Sequence, residues 1–256
     1  MPQWDADLYL KFGDERTQPV RDLIHRIQLT NPRRIMDLGC GPGNSTAELR
    51  RRWPLSAIAG LDNSPEMIAK ARESFPGAQW EVADAASWKP PEPFDLVFSN
   101  AMLHWLPDHG RLCRHFMEQV TEGGALAVQV PAHYDSPLHR EILDVSHDPM
   151  WDAQMAAARQ RLTHQPPAFY YGTLQPVARH VDLWETTYYH VLAGPEAVVE
   201  WFRGTGLRPF LEALPGKEER ARFESLLLER YRVVYPRQND GKILFPFRRL
   251  FFIAYR

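Results

Sequence analysis

Apolar positions along the chain recur with two alternating periods. Val20, Leu23, Ile24 and Ile27 fall at i, i+3, i+4 and i+7, which predicts an amphipathic helix over 17–29. Thr17 suits its N-cap and Pro19 its first turn. Short apolar runs then stand at 34–38, 57–61, 79–82, 94–99 and 125–130, the last after a Gly123-Gly124 turn. Between them, helical segments are predicted at 45–53, from a Ser64 cap with Met67, Ile68 and Ala71 on one face, and at 111–120. Strands that alternate with helices in this way predict a parallel sheet covered on both faces. Ligands of such sheets bind beyond the carboxyl ends of the strands. Asp37, Asp62, Asp84 and Asn100 all stand at or just past a predicted strand end.

The pattern changes after about residue 131. Residues 133–180 are rich in His, Pro, Met and Tyr without strand alternation, and are expected to form a helical insertion or lid. Residues 181–192 alternate again as a strand, 195–203 and 217–235 are helical, and 250–254 is a final strand. The expected organisation is one domain over 1–256. It comprises an N-terminal cover and helix (1–29), a ligand-binding core (30–131), the insertion (132–180), and C-terminal strands and helices (181–256).

Bulk properties narrow the function classes. With 44% hydrophobic residues the chain can bury a full core, and a net charge of −2 argues against broad binding to nucleic acid. No run approaches the ~18 apolar residues that a membrane span needs. Met1-Pro2-Gln3-Trp4-Asp5 is not a basic segment leading into an apolar run, so no secretory leader is expected. The two cysteines, Cys40 and Cys113, have no metal-type spacing and fit a reducing, cytoplasmic setting.

Gly39-x-Gly41-x-Gly43 follows one predicted strand and precedes a helix. Glycines there let backbone approach a ligand, although a tight strand-to-helix turn needs no ligand at all. The dinucleotide fingerprint places its third glycine at 44, where this chain has Asn44. Pro42 removes a backbone donor that a pyrophosphate uses, and no Gly-Lys-Ser/Thr ending is present. Asp62 can accept hydrogen bonds from two ribose hydroxyls and repels a 2′-phosphate. Asp84 can accept from an adenine amino group while the next backbone N–H, at Ala85, donates to the ring. Each also has a plain alternative as a capping or turn aspartate.

Asp37-Leu38-Gly39-Cys40-Gly41-Pro42-Gly43, then Gly60-Leu61-Asp62-Asn63-Ser64, Asp84-Ala85 and Phe94-Asp95-Leu96-Val97-Phe98-Ser99-Asn100, resembles the class I S-adenosylmethionine-dependent methyltransferases over roughly residues 30–130. The resemblance implies a Rossmann-like α/β fold. Its seven-stranded sheet is mostly parallel with an antiparallel last strand, and a helical lid is added to it. It also implies S-adenosyl-L-methionine as cofactor and S-adenosyl-L-homocysteine as product. By the resemblance, Asp37 and the loop with Gly39, Gly41 and Gly43 hold the methionine end and Asp62 the ribose. Asn63 and Met67 adjoin them, Asp84 and Ala85 frame the adenine, and Asn100 borders the sulfonium.

Further segments resemble the trans-aconitate methyltransferases: residues 4–12 with Glu15-Arg16-Thr17, Asn100-Ala101-Met102-Leu103-His104-Trp105, Trp201-Phe202-Arg203 through Pro209, and Leu244-Phe245-Pro246-Phe247-Arg248-Arg249-Leu250-Phe251. This implies esterification of a small polycarboxylate, with no metal and no nucleic-acid or membrane partner, by a chain expected to be a monomer. A carboxylate, with a pKa of roughly 4, is already ionised at neutral pH, so no catalytic base is expected. The remaining carboxylates call for arginine forks helped by Tyr or His donors. The candidates are Arg16, His104, Tyr171, Arg203 and Arg248, with Tyr170, Arg208 and Arg249 behind them. Of Arg248 and Arg249, adjacent on a strand, only one can face inward. Trp4 is expected to close over the cofactor, with Tyr9 and Phe12 beside it. Methyl transfer to a hydroxyl, amine or ring carbon, with His104 as base, stays open. So do a cofactor-binding protein without catalysis and a nicotinamide-dependent dehydrogenase.

Overall fold

A computed structural model describes residues 13–161 and 163–256, those at 13–16 by their backbone alone. The expectations for Trp4, Tyr9, Phe12 and the side chain of Arg16 lie outside the described residues. In chain order the elements are α1 (Gly13–Arg26), β1 (Arg34–Leu38), α2 (Asn44–Arg52), β2 (Ala57–Asp62), α3 (Pro65–Ser74), β3 (Gln79–Val82), β4 (Phe94–Asn100), α4 (His109–Glu118) and β5 (Val120–Pro131). There follow α5 (Pro137–Ser146), α6 (Asp152–Met155), α7 (Pro167–Leu174), β6 (His180–Leu192), α8 (Pro195–Arg203), α9 (Arg208–Ala213), α10 (Lys217–Val234) and β7 (Ile243–Tyr255).

Among the described residues, seven strands form one sheet in the order β3-β2-β1-β4-β5-β7-β6. β1 to β5 pair in parallel, and β7 runs antiparallel to both β5 and β6. Apolar side chains cover both faces. Ile35, Leu96, Phe98 and Phe251 pack under Val20, Leu23 and Ile24 of α1. Met36, Val97, Leu126 and Val128 pack on the opposite side with Leu112 and Phe116 of α4 and Tyr170 of α7. A third cluster joins α5, α8 and α10 around Trp201, Phe202, Phe210 and Phe223, and takes in Phe245 and Phe247 of β7. The register explains its position. β5 ends at Pro131 opposite Arg249, so the first half of β7 and its β6 partners overshoot the carboxyl edge of the parallel strands. The insertion is helical as expected, and it builds this lobe together with the late helices.

Several elements differ from expectation. The first helix among the described residues runs Gly13–Arg26, so Thr17 lies within it and is not its cap, and Pro19 is also inside it. There Pro19 removes one backbone hydrogen bond, offset by the burial of Val20, Leu23 and Ile24. β5 begins at Val120, and the Gly123-Gly124 pair is a bulge within it: Phe94 pairs with Val120 while Leu96 pairs with Ala125. β7 begins at Ile243 rather than 250. Its Pro246 falls where β7 is paired only to β6, an edge position that tolerates a missing N–H. The short helix α9, which carries Pro209 in its first turn, shows no periodicity over its six residues.

Candidate functional site

The carboxyl ends of β1, β2 and β4 and the loop after β3 converge on a cleft of about 540 Å³, within the usual range for small-molecule sites. Its lining includes Gly39, Gly41, Asp62, Asn63, Met67, Asp84, Ala85 and Asn100. The structure therefore brings together eight of the residues that the sequence singles out. Asp37 lies beneath the cleft, fully buried, and Gly43 sits one turn away as the N-cap of α2.

The loop after β1 is shaped from both sides. Gly39 has φ +68°, and its N–H donates to the Leu61 carbonyl at 2.7 Å. A Cβ on Gly39 would fall 2.3 Å from Cγ of Met102, a residue of the cleft wall. The Gly41 N–H donates to Asp62 Oδ2 at 3.0 Å, and the Ser64 N–H donates to Asp62 Oδ1 at 2.9 Å. One carboxylate thus fixes both the glycine loop and the start of α3. Burial pushes its pKa up, against the pull of these N–H donors.

Asp37 is the most strongly perturbed acid of the site. Its Oδ2 accepts from the hydroxyls of Ser45 and Thr46, both at 2.6 Å, while Oδ1 has no partner among the described residues. Burial pushes its pKa up to about 6, opposed by the two hydroxyls and reinforced by Asp62. Asn100 Oδ1 is likewise buried without a partner. The next residue, Ala101, adopts φ +55° and donates its N–H to Gln129 at 2.9 Å. This is a conformation that non-glycine residues rarely hold. Buried acceptors beside a cradle with no room for a Cβ suit a ligand that carries a cationic group. Ala85, Met67 and Leu106 add apolar wall to the same cleft.

The substrate-side candidates separate. His104 is buried on the turn after β4, its ring 4.9 Å from that of Trp105, a cleft residue. The structure does not bring Arg203, Tyr171 or Arg248 to the cleft. Arg203 forks onto Glu224 of α10 at 2.6 and 3.0 Å, and Tyr171 is 54% exposed on α7. Its neighbour Tyr170 is buried and shares a hydrogen bond with His109 Nδ1. Arg248 binds the Ala132 carbonyl and Asp135. Of the adjacent pair on β7 it is Arg249 that faces inward, only 5% exposed. Met102 falls in a segment singled out by resemblance but with no role of its own, and sequence reasoning misses Leu106 and Arg161 in the cleft wall. Arg161 comes from the insertion, where no periodicity or motif marks it. Cys40 and Cys113 are buried and unbridged, and burial pushes the Cys113 thiol up to about 12.

Comparison with known proteins adds four matches. A methyltransferase domain family matches residues 35–124. Over its full length the chain is 45% identical to the trans-aconitate 2-methyltransferase of Azoarcus sp. (strain BH72), with 100% of both chains covered. It is 47% identical to the trans-aconitate 2-methyltransferase of Methylobacterium nodulans, covering 100% of this chain and 99% of that one. Among solved structures, the YcgJ protein of Bacillus subtilis aligns with a TM-score of 0.60 at 13% identity, over 93% of this chain and 98% of that chain, which bears on the fold alone.

Proposed function

The chain belongs to the trans-aconitate 2-methyltransferase family, and we propose that it esterifies one carboxylate of trans-aconitate to give the monomethyl ester. The observation that carries this reading is the full-length extent of the relationship, which includes the helical lobe and β6–β7 as well as the cofactor core. S-adenosylmethionine is the cofactor of the enzyme. When bound, it supplies an electrophilic methyl group that a carboxylate oxygen accepts, leaving S-adenosylhomocysteine.

The chain's own residues divide the remaining work. We assign the α-amino end of the cofactor to the Asp37 side of the glycine loop, the ribose hydroxyls to Asp62, and the adenine to Asp84, Ala85 and Met67. Asn63 borders the ribose, and Asn100 lies on the side where the acceptor enters. Because the acceptor is already ionised, the protein must chiefly orient it and exclude water. We place the enzyme in the cytoplasm as a monomeric single domain. This is consistent with its two unbridged cysteines, and no described helix is long and apolar enough to cross a membrane.

Two expected results follow from these assignments. A cationic group beside Asp37 favours its ionised form, so binding below pH 6 must expel a proton. The affinity for S-adenosylhomocysteine should then rise by up to about tenfold per unit as pH increases from 5 to 6 and level off above 6.5. Calorimetric titration across pH checks this, and Asp37→Asn should flatten the profile. In the ligand-free protein the same shift has the opposite consequence. The unfolded carboxyl ionises near 3.8 and the buried one near 6, so this group's stability contribution falls as pH rises between those values.

The second result concerns His104. Burial, with His164 and Arg249 nearby, holds its pKa well below the usual imidazole range. His104→Gln should reduce kcat by less than about tenfold at saturating cofactor, without a steep pH dependence. Removal of a general base costs about 100- to 10,000-fold. The substrate assignment itself is tested by comparing kcat/KM for trans-aconitate, a catechol and a primary amine. Trans-aconitate should exceed the others by at least about 100-fold. Preferred methylation of the phenol or amine would overturn the acceptor while leaving the cofactor in place.

A further inference from the structure

A row of polar side chains crosses one face of the sheet beside the cleft. Cross-strand partners present their side chains to the same face, and so do residues two apart on a strand. Asp37 pairs with Phe98, two residues before Asn100; Asn100 pairs with Gln129; and Pro131, two residues beyond Gln129, pairs with Arg249. The row therefore runs Asp37, Asn100, Gln129, Arg249 over four adjacent strands spaced about 4.8 Å apart. Its first two members belong to the cofactor side. Its last two lead away under the helical lobe.

Arg249 directs Nη1 toward Gln129 Oε1 at 3.4 Å, and its guanidinium carbon stands 4.7 Å from the centre of the Phe247 ring. The Phe247 ring meets His133 at 4.9 Å, and His133 stands 5.7 Å from His164. Burial, with neighbouring imidazoles and Arg249 adding to it, keeps His133 well below its usual pKa, so its ring is neutral and carries one N–H. Nδ1 of His133, Nε2 of His164, Nδ1 of His104 and Nε2 of Gln129 are all buried without a hydrogen-bond partner among the described residues. Unpaired buried polar atoms cost stability, and a cluster of them marks a place where a ligand pairs them. A metal does not account for the cluster. No group of three or more His, Cys, Asp or Glu among the described residues could hold one.

We propose that this cluster forms the anion pocket for the acceptor, in which Arg249, His133, His164 and Gln129 bind the carboxylates that are not methylated. The pocket places the reacting carboxylate toward Asn100. It rests on the polycarboxylate reading given above and assigns to that reading a set of residues from β5, β7 and the insertion. A guanidinium fork and neutral N–H donors are the groups that recognise carboxylates. A monocarboxylate offers these donors no second carboxylate and is rejected.

Kinetics at saturating S-adenosylmethionine test the assignment through Arg249→Gln and Arg249→Lys. Arg249→Gln should raise KM for trans-aconitate by on the order of 100-fold, with kcat changed far less, and Arg249→Lys should fall between it and the wild type. S-adenosylhomocysteine affinity in both should stay within about threefold of the wild type, since Arg249 lies beyond the cofactor's end of the row. A folded Arg249→Gln enzyme with an unchanged KM overturns the proposal. Should that variant not fold, the wild type provides the decisive measurement. With side-chain nitrogens of histidine labelled and S-adenosylhomocysteine bound, titration with trans-aconitate should shift the His133 and His164 resonances. Resonances unmoved at saturating acid overturn the proposal. If the wild type turns over no trans-aconitate, the substrate reading fails by itself. The same titration with a set of di- and tricarboxylic acids then decides the pocket: a shift with any of them supports it, and the absence of a shift with all of them overturns it.

Discussion

Gly39→Val should abolish measurable cofactor binding. The side chain has no space, because the first added carbon lies 2.3 and 2.5 Å from Cγ and Cβ of Met102. These are the inner atoms of that side chain, so rotating its far end relieves nothing. The backbone has no latitude either. Its φ of +68° disfavours a β-branched residue by about 1–2 kcal/mol, and the 2.7 Å hydrogen bond to Leu61 ties the loop to β2. The strain and the overlap together should weaken S-adenosylhomocysteine binding by more than about 100-fold, read by calorimetry. Gly41→Ala is the informative contrast. A Cβ there meets nothing within 4 Å, so only the φ of +54° opposes it, and the loss should stay near tenfold. Wild-type affinity in Gly39→Val would show that the loop is not a cradle.

Asp62→Ala should weaken the cofactor by about 100- to 10,000-fold. Two charge-assisted bonds to ribose hydroxyls account for most of it at about 1.5–3 kcal/mol each. The loss of the acceptor for the Gly41 and Ser64 N–H groups adds to it by loosening the loop. Asp62→Asn keeps an oxygen for one of those donors and should lie between. The assignment to ribose has its own readout. S-adenosylhomocysteine without the ribose 2′-hydroxyl should bind the wild type about tenfold or more weakly, yet bind Asp62→Ala as well as the natural ligand does. Equal discrimination by both proteins would move the ribose away from Asp62.

The cofactor half of the molecule was legible because its signals are local. β1, β2 and β4 are largely apolar and mostly buried runs that end at Leu38, just before Gly39, at Asp62 and at Asn100. A polar residue at such an end needs no partner elsewhere to reveal itself. The acceptor half depends on register. Gln129, His133 and Arg249 come together only because β7 returns antiparallel beside β5 and overshoots it. Pro246 hid that overshoot, since a proline in a run argues against a central strand, and the adjacent Arg248 and Arg249 broke the alternation. Arg203 is a candidate from the resemblance of its segment, but its position is set by Glu224, twenty-one residues on. No local pattern announces that pairing.

The central claim is that this chain forms a carboxylate ester, and the chemistry of the product tests it most directly. Incubation with methyl-labelled S-adenosylmethionine and trans-aconitate should yield a labelled product one methyl heavier than the acid. Mild alkali should release the label from it as methanol. A labelled product stable to alkali, or no transfer to trans-aconitate by protein that binds S-adenosylhomocysteine, would contradict the account.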